Sequence, residues 1–142
     1  MNKTSIITTY KTQQWYIIDA KQYRLGRLAT EIANILRGKR HAHFHPSQVN
    51  HDYVIIINAK DIAISGSKAH HKLYYKHSGR PGSLKVERFE NLQNRLPHKI
   101  IENAVRKMLP KGPLGRQIFK NLKVYAGEKH PHQAQKPIKI EL

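Results

Sequence analysis

The residues most able to do chemistry are histidines, and they come in groups. His41, His43 and His45 alternate, His70 and His71 adjoin, and His130 and His132 flank Pro131. Alternating histidines on one strand face could bind a metal, but a site of useful affinity also recruits carboxylates or thiolates and an outer shell. The first group instead sits among Arg37, Lys39 and Arg40, whose charge opposes a cation, and the chain has no cysteine. The histidines read as polar loops beside phosphates; no metal and no cofactor is expected.

Nucleotide chemistry fares no better. The segment RLGRLA opens a helix after a strand, as in a dinucleotide-binding unit. That unit needs three spaced glycines so that backbone can approach a pyrophosphate, and only Gly26 is present. Neither GKR at Gly38 nor GSK at Gly66 completes a Walker loop. For hydrolysis, the nine acids are scattered, and the close pair Glu87 and Glu90 lies in a hairpin-like region where a solvated or ion-paired role is ordinary. No nucleophile, base and orienting group stand together in the sequence.

What stands out is the cationic pattern. Lys and Arg number 26 against nine acids, a formal charge of +17 in 142 residues, which points to a polyanionic partner. Between Asp61 and Glu87 there is no acid, while Lys68, Lys72, Lys76, Arg80 and Lys85 recur with Tyr74, Tyr75 and His77 among them. Between Glu102 and Glu128 there is again none, while Arg106, Lys107, Lys111, Arg116, Lys120 and Lys123 accumulate. An ordinary solvated surface mixes both signs. Cations on reachable loops, interleaved with rings that stack on exposed bases, are how RNA is gripped outside regular helices. In MLPKGPLGRQIFK, Gly112 and Gly115 would let backbone amides approach a phosphate, with Lys111 and Arg116 on either side.

These residues need a scaffold, and the hydrophobic pattern supplies one. The length predicts a single domain able to bury a core without disulfides. Its expected divisions are an N-terminal extension (1–14), a core (15–127) with a hairpin arm at about 69–90, and an extended tail (128–142). WYIIDA is a buried-type strand. Leu25, Leu28, Ala29, Ile32, Ala33 and Leu36 form one helical face, with Gly38 as C-terminal cap. DYVIIINA lacks alternation, so both its faces should be covered, as in a parallel sheet. DIAIS (61–65) is a possible further strand.

Two strand-like runs around RPG predict the arm, with one of Tyr74 and Tyr75 turned to the core. Pro97 opens a helix with Ile101, Ala104, Val105, Met108 and Leu109 as its stripe, and Pro110 ends it. A short helix over 114–121 then feeds the strand LKVYAG. The polar tail after it is expected to be ordered mainly by a partner. No apolar run approaches the roughly 20 residues of a membrane helix, and the N-terminus resembles neither a signal nor a transit peptide, so the chain is expected to work where it is made.

WYIIDA, LGRLATEIANILRGK, DYVIIINA, SGSK, KLYYKHSGRPG, AVRKMLPKGPLGR, LKVYAG and HPHQAQKP, in that order, resemble the bacterial-type large-subunit ribosomal protein L-thirteen family over about Trp15 to Pro137. The resemblance implies an α/β/α sandwich on a four-stranded parallel sheet, no catalytic activity, and binding to large-subunit ribosomal RNA early in subunit assembly. Neighbouring large-subunit proteins would be further partners, with no membrane and no small-molecule substrate. The sequence departs from the family pattern at His51, Ser83 and Lys107, each where glycine is common.

The residues expected to contact RNA are Arg24, Arg27, Arg37, Lys39, Arg40, Lys68, Lys72, Tyr75, His77, Arg80, Lys85, Lys107, Lys111, Gly112, Arg116, Lys120, His130 and His132. The rival readings are a nucleotide-binding enzyme and a duplex-DNA-binding module around Pro110 to Gly115. Ile exceeds Val and Lys exceeds Arg, as AT-rich coding produces, so the expected setting is a ribosome in the plastid stroma, slightly favoured, or in a bacterial cytoplasm.

Overall fold

The computed structural model describes residues 13–142; most of the expected N-terminal extension therefore lies outside the described residues. Along the chain run β1 (Trp15–Asp19), α1 (Leu25–Leu36), β2 (Tyr53–Ile57), α2 (Lys68–His71), β3 (Leu73–Lys76), β4 (Lys85–Arg88), α3 (Phe89–Arg95), α4 (Pro97–Met108), α5 (Pro113–Phe119), β5 (Leu122–Val124) and β6 (Ile138–Lys139). The main sheet is four-stranded and all parallel, in the order β5-β2-β1-β6, while β3 and β4 form a separate antiparallel ribbon. Mixed α/β with five α-helices among the described residues, the fold is that of a three-layer α/β/α sandwich.

The uninterrupted apolar run of β2 has the expected consequence. Pairing of Trp15 with Tyr53 and of Ile18 with Ile56 places Ile18, Val54 and Ile56 on one sheet face. There they join Leu28, Ile32 and Leu36 of α1 and Ile101 and Val105 of α4 in the core. Ile55, fully buried, belongs to the opposite face with Trp15 and Tyr53. On that face the rings of Trp15 and Tyr53 stack 4.2 Å apart, and His132 lies 5.1 Å from Trp15.

Helix α1 ends as its glycine predicts. Gly38 takes φ 75°, and the buried Asn50 side chain packs beside it and donates to the Ile35 carbonyl at 3.0 Å. The same Asn50 amide donates to Asp52, which is 2% exposed. Asp52 also accepts from the Gln14 amide and meets His41 Nε2 at 2.6 Å, so one buried carboxylate at the entry to β2 closes the loop that follows α1.

Three expectations need correction. The run 61–65 is no sheet strand: it makes only a bridge between Arg24 and Ala63, next to a 3-10 turn at Ala59–Asp61. The fourth strand comes instead from the tail, where Ile138 pairs with Tyr16 and Lys139 with Ile17. Ile140 then donates to the Ile17 carbonyl at 3.0 Å and Leu142 to the Tyr23 hydroxyl at 2.7 Å, so backbone pairing within the chain orders the segment assigned to a partner. Met108 keeps its place on the α4 stripe but, as the last residue of the helix, is 42% exposed beside a surface cavity and Thr30 rather than buried, while Ile100 adds to the buried stripe at the other end. Helix α3 is an addition: Phe89 and Leu92 are buried, two apolar residues in a polar segment.

Candidate nucleic-acid interface

The arrangement begins at the start of α1. Arg24 is its N-cap residue, in extended conformation, and Arg27 sits on the exposed side one turn on. Lys68 opens the short α2 and Lys72 closes it; Lys107 stands in the last turn of α4. These elements meet because α1 and α4 share the same sheet face and α2 joins the ribbon to α3. Together Arg24, Arg27, Lys68, Lys72 and Lys107 rim a cavity of about 440 Å³ over a floor that includes Ile64, Ala104 and Met108, with no acid in its lining. Partial burial, followed by the charges of Lys107 and Lys68, lowers the Lys72 pKa from its ordinary 10.5. Cations crowded in this way without a counter-charge destabilise one another's charged forms, a strain that a nearby negative charge would relieve. The Lys72 ammonium also lies 5.5 Å from the centre of the Tyr74 ring.

One residue back along α4, Arg106 faces a second cavity of about 490 Å³, shared with Lys111, Gly112, Arg116 and Lys120 and again free of acids. Helix α4 ends at Met108, two residues ahead of Pro110, Gly112 turns the chain at φ 116°, and Pro113 starts α5. Gly112 therefore has the conformational role that glycine alone fills easily. Gly115 lines the same cavity, as expected, and packing sets a second requirement for glycine there. It is buried, and a Cβ there would lie 1.8 Å from the Pro110 carbonyl oxygen, so it permits α5 to pack on the preceding turn. Arg106 and Lys107 make the last turn of α4 a wall common to both cavities.

The remaining candidates lie apart. Arg37 is half-buried at the C-terminus of α1, and Lys39 and Arg40 are exposed in the turn after it; Arg40 is partly neutralised by Glu31 at 2.9 Å. Tyr75, His77, Arg80 and Lys85 belong to the ribbon. In its turn Ser83 donates to the Arg80 carbonyl at 2.6 Å and the Gly79 amide donates to His77 Nδ1 at 2.9 Å, so the serine that departs from the family pattern closes the loop itself.

His130 and His132 are engaged internally. His132 Nε2 shares a hydrogen bond with the Tyr125 hydroxyl at 2.8 Å, and His130 Nδ1 accepts from the His132 amide. Desolvation, then Lys123 and His130, lowers the His132 pKa below 6.5. Of the acids near the ribbon, Glu87 is held by the Arg95 guanidinium at 2.6 and 3.1 Å and Glu90 faces His70 at 3.5 Å. Among the described residues no group of three His, Asp or Glu side chains converges as a metal site. Arg106 is the residue that pattern reading left off the contact set. Its place in an acid-free stretch and on the outward side of α4 was a signal, but only the packing of the turn after α4 shows that it shares a cavity with Lys111 and Arg116.

Fold and surface together define a small, strongly cationic α/β protein whose basic side chains gather in acid-free clefts. The chain belongs to the family Ribosomal protein L13, whose sequence model matches residues 13–131. It is 56% identical over 137 residues to the large ribosomal subunit protein uL13c of Porphyra purpurea, covering 96% of each chain. It is 53% identical over 143 residues to the large ribosomal subunit protein uL13 of Synechococcus sp. (strain CC9311), covering 100% of this chain and 95% of that one. With the uL13 of Crocosphaera subtropica it shares 58% identity over 130 residues, 92% of this chain and 86% of the relative. Family membership makes this a structural, non-enzymatic ribosomal protein.

Proposed function

We propose that this chain is a constituent of the large ribosomal subunit that binds large-subunit ribosomal RNA and supports early subunit assembly, beside neighbouring large-subunit proteins. The observation that carries this is the meeting of the two acid-free stretches. Lys68 and Lys72 come from one and Lys107 from the other, yet all three rim a single cavity, and Arg106 extends the same wall into the next. Charges so gathered on a rigid scaffold match successive phosphates of a folded strand, each neutralised phosphate releasing bound counterions. Arg24, Arg27, Lys68, Lys72, Lys107, Lys111, Arg116 and Lys120 are the principal contacts in this reading, with Arg106 added. His130 and His132 are secondary, because their rings already serve the second sheet face. Relatives of both the uL13c and uL13 types support a setting in a plastid or bacterial ribosome.

A competition experiment tests the reading against its rivals. Structured large-subunit RNA should displace bound probe RNA far better than duplex DNA of equal length, and a mononucleotide should not compete. The tagged chain should co-sediment with large subunits on a gradient. Saturable mononucleotide binding, or preference for duplex DNA, would overturn the proposal.

A further inference from the structure

One face of the β3–β4 ribbon is left bare. Tyr74 turns inward, its ring 6.4 Å from that of the buried Phe89. Alternation then sends Leu73 and Tyr75 to the other side, where register sets Tyr75 directly across from Val86 and Leu73 across from Arg88. Tyr75 is 65% exposed, Val86 51% and Leu84, which leads into β4, 56%. The cations on or near this face are Arg88, which shares it, and Arg80 in the turn; the like-charged cross-strand pair Lys76 and Lys85 belongs to the opposite face. The ribbon's one acid, Glu87, points to the opposite side and is held by Arg95.

A stable protein interface covers roughly 800 Å² on each partner, which a few side chains on two four-residue strands do not supply. A single flat, anionic-backed ring needs far less. It requires one aromatic face, an apolar neighbour to keep water away, and cations within reach of its phosphate. We propose that Tyr75, supported across the ribbon by Val86, is a stacking platform for an unpaired RNA base, so that the arm takes a single-stranded loop where the two cavities take backbone. The inference rests on the RNA-binding reading above and names the form of RNA this part of the chain takes.

The test uses the full chain, a stem-loop RNA with a fluorescent purine analogue in its loop, and the same strand annealed to its complement as uninterrupted duplex. Wild type should quench the loop fluorophore and prefer the stem-loop. Tyr75→Ala should bind the stem-loop about tenfold more weakly and lose the quenching, with duplex binding and the salt dependence unchanged; Tyr75→Phe should behave as wild type. Because the ring is exposed, the variant's melting temperature should not move. Equal stem-loop binding and quenching by Tyr75→Ala and wild type would overturn the platform alone. So would a Tyr75→Ala defect confined to association with a neighbouring protein in reconstituted subunits. Failure of wild type to bind either RNA would instead refute the RNA-binding reading, and the platform with it.

Discussion

Gly115 allows a prediction whose size follows from one distance. Replacing it with alanine places a Cβ 1.8 Å from the Pro110 carbonyl oxygen and 2.9 Å from its carbon, where ordinary contact begins at 3.4 Å. Both sides of the clash are backbone, so no side chain can swing away, and α5 must shift relative to the end of α4. Overpacking of this kind costs about 3 kcal/mol, the upper part of the usual range. For a domain of this length that lowers the melting temperature by about 10 °C. Gly26→Ala is the matched control. It lies in α1 with nothing within 4 Å of its added methyl, and should be neutral or stabilise by up to about 1 kcal/mol through helix propensity. Thermal and denaturant melts of both variants followed by circular dichroism measure the pair. Gly115→Ala within about 0.5 kcal/mol of wild type would refute the packing argument.

Asp52→Ala should destabilise the chain by about 3 kcal/mol, since it strips a buried acceptor from His41, Asn50 and the Gln14 amide; chemical denaturation with an unchanged m-value would show it, and a loss below about 0.5 kcal/mol would contradict it. His132 has a folded pKa lowered from 6.5 by desolvation, Lys123 and His130. The folded state therefore binds fewer protons there than the unfolded chain does, and the stability from this contact is present above 6.5 and falls as pH drops through and below that value. His132→Gln should flatten that part of the stability–pH curve, and an unchanged curve would count against it. Lys72, whose pKa is lowered by burial and by Lys107 and Lys68, should regain protons when phosphate enters the cavity. RNA binding should then take up protons at alkaline pH below 10.5, as measured by calorimetry in buffers of different ionisation enthalpy, and Lys72→Arg should reduce the uptake.

Much of the scaffold was readable because its signals are local. The stripe from Leu25 to Leu36, the non-alternating β2, Pro97 at the head of α4 and Gly38 at the end of α1 each follow from the residues within one element. The errors arose where long-range pairing decides. Ile138 and Lys139 lie in a polar, proline-containing segment and become a strand only because β1 offers an open edge. Ile62 and Ile64 look like a strand but are taken up by the core beside a 3-10 turn.

The site divides in the same way. The acid-free stretches were visible as composition, and the inward turn of one tyrosine followed from alternation. That Lys68, Lys72 and Lys107 share one cavity depends on α2 and α4 converging from segments about forty residues apart, which no local pattern records.

The central claim is that cations from both stretches act as one phosphate-binding surface, and the salt dependence of RNA affinity tests it most directly. The slope of log affinity against log salt should fall by about two for Lys68→Ala with Lys107→Ala, by about two for Lys111→Ala with Arg116→Ala, and by about four when the pairs are combined. A slope that stays at the wild-type value in the combined variant, with the protein still folded, would contradict the account.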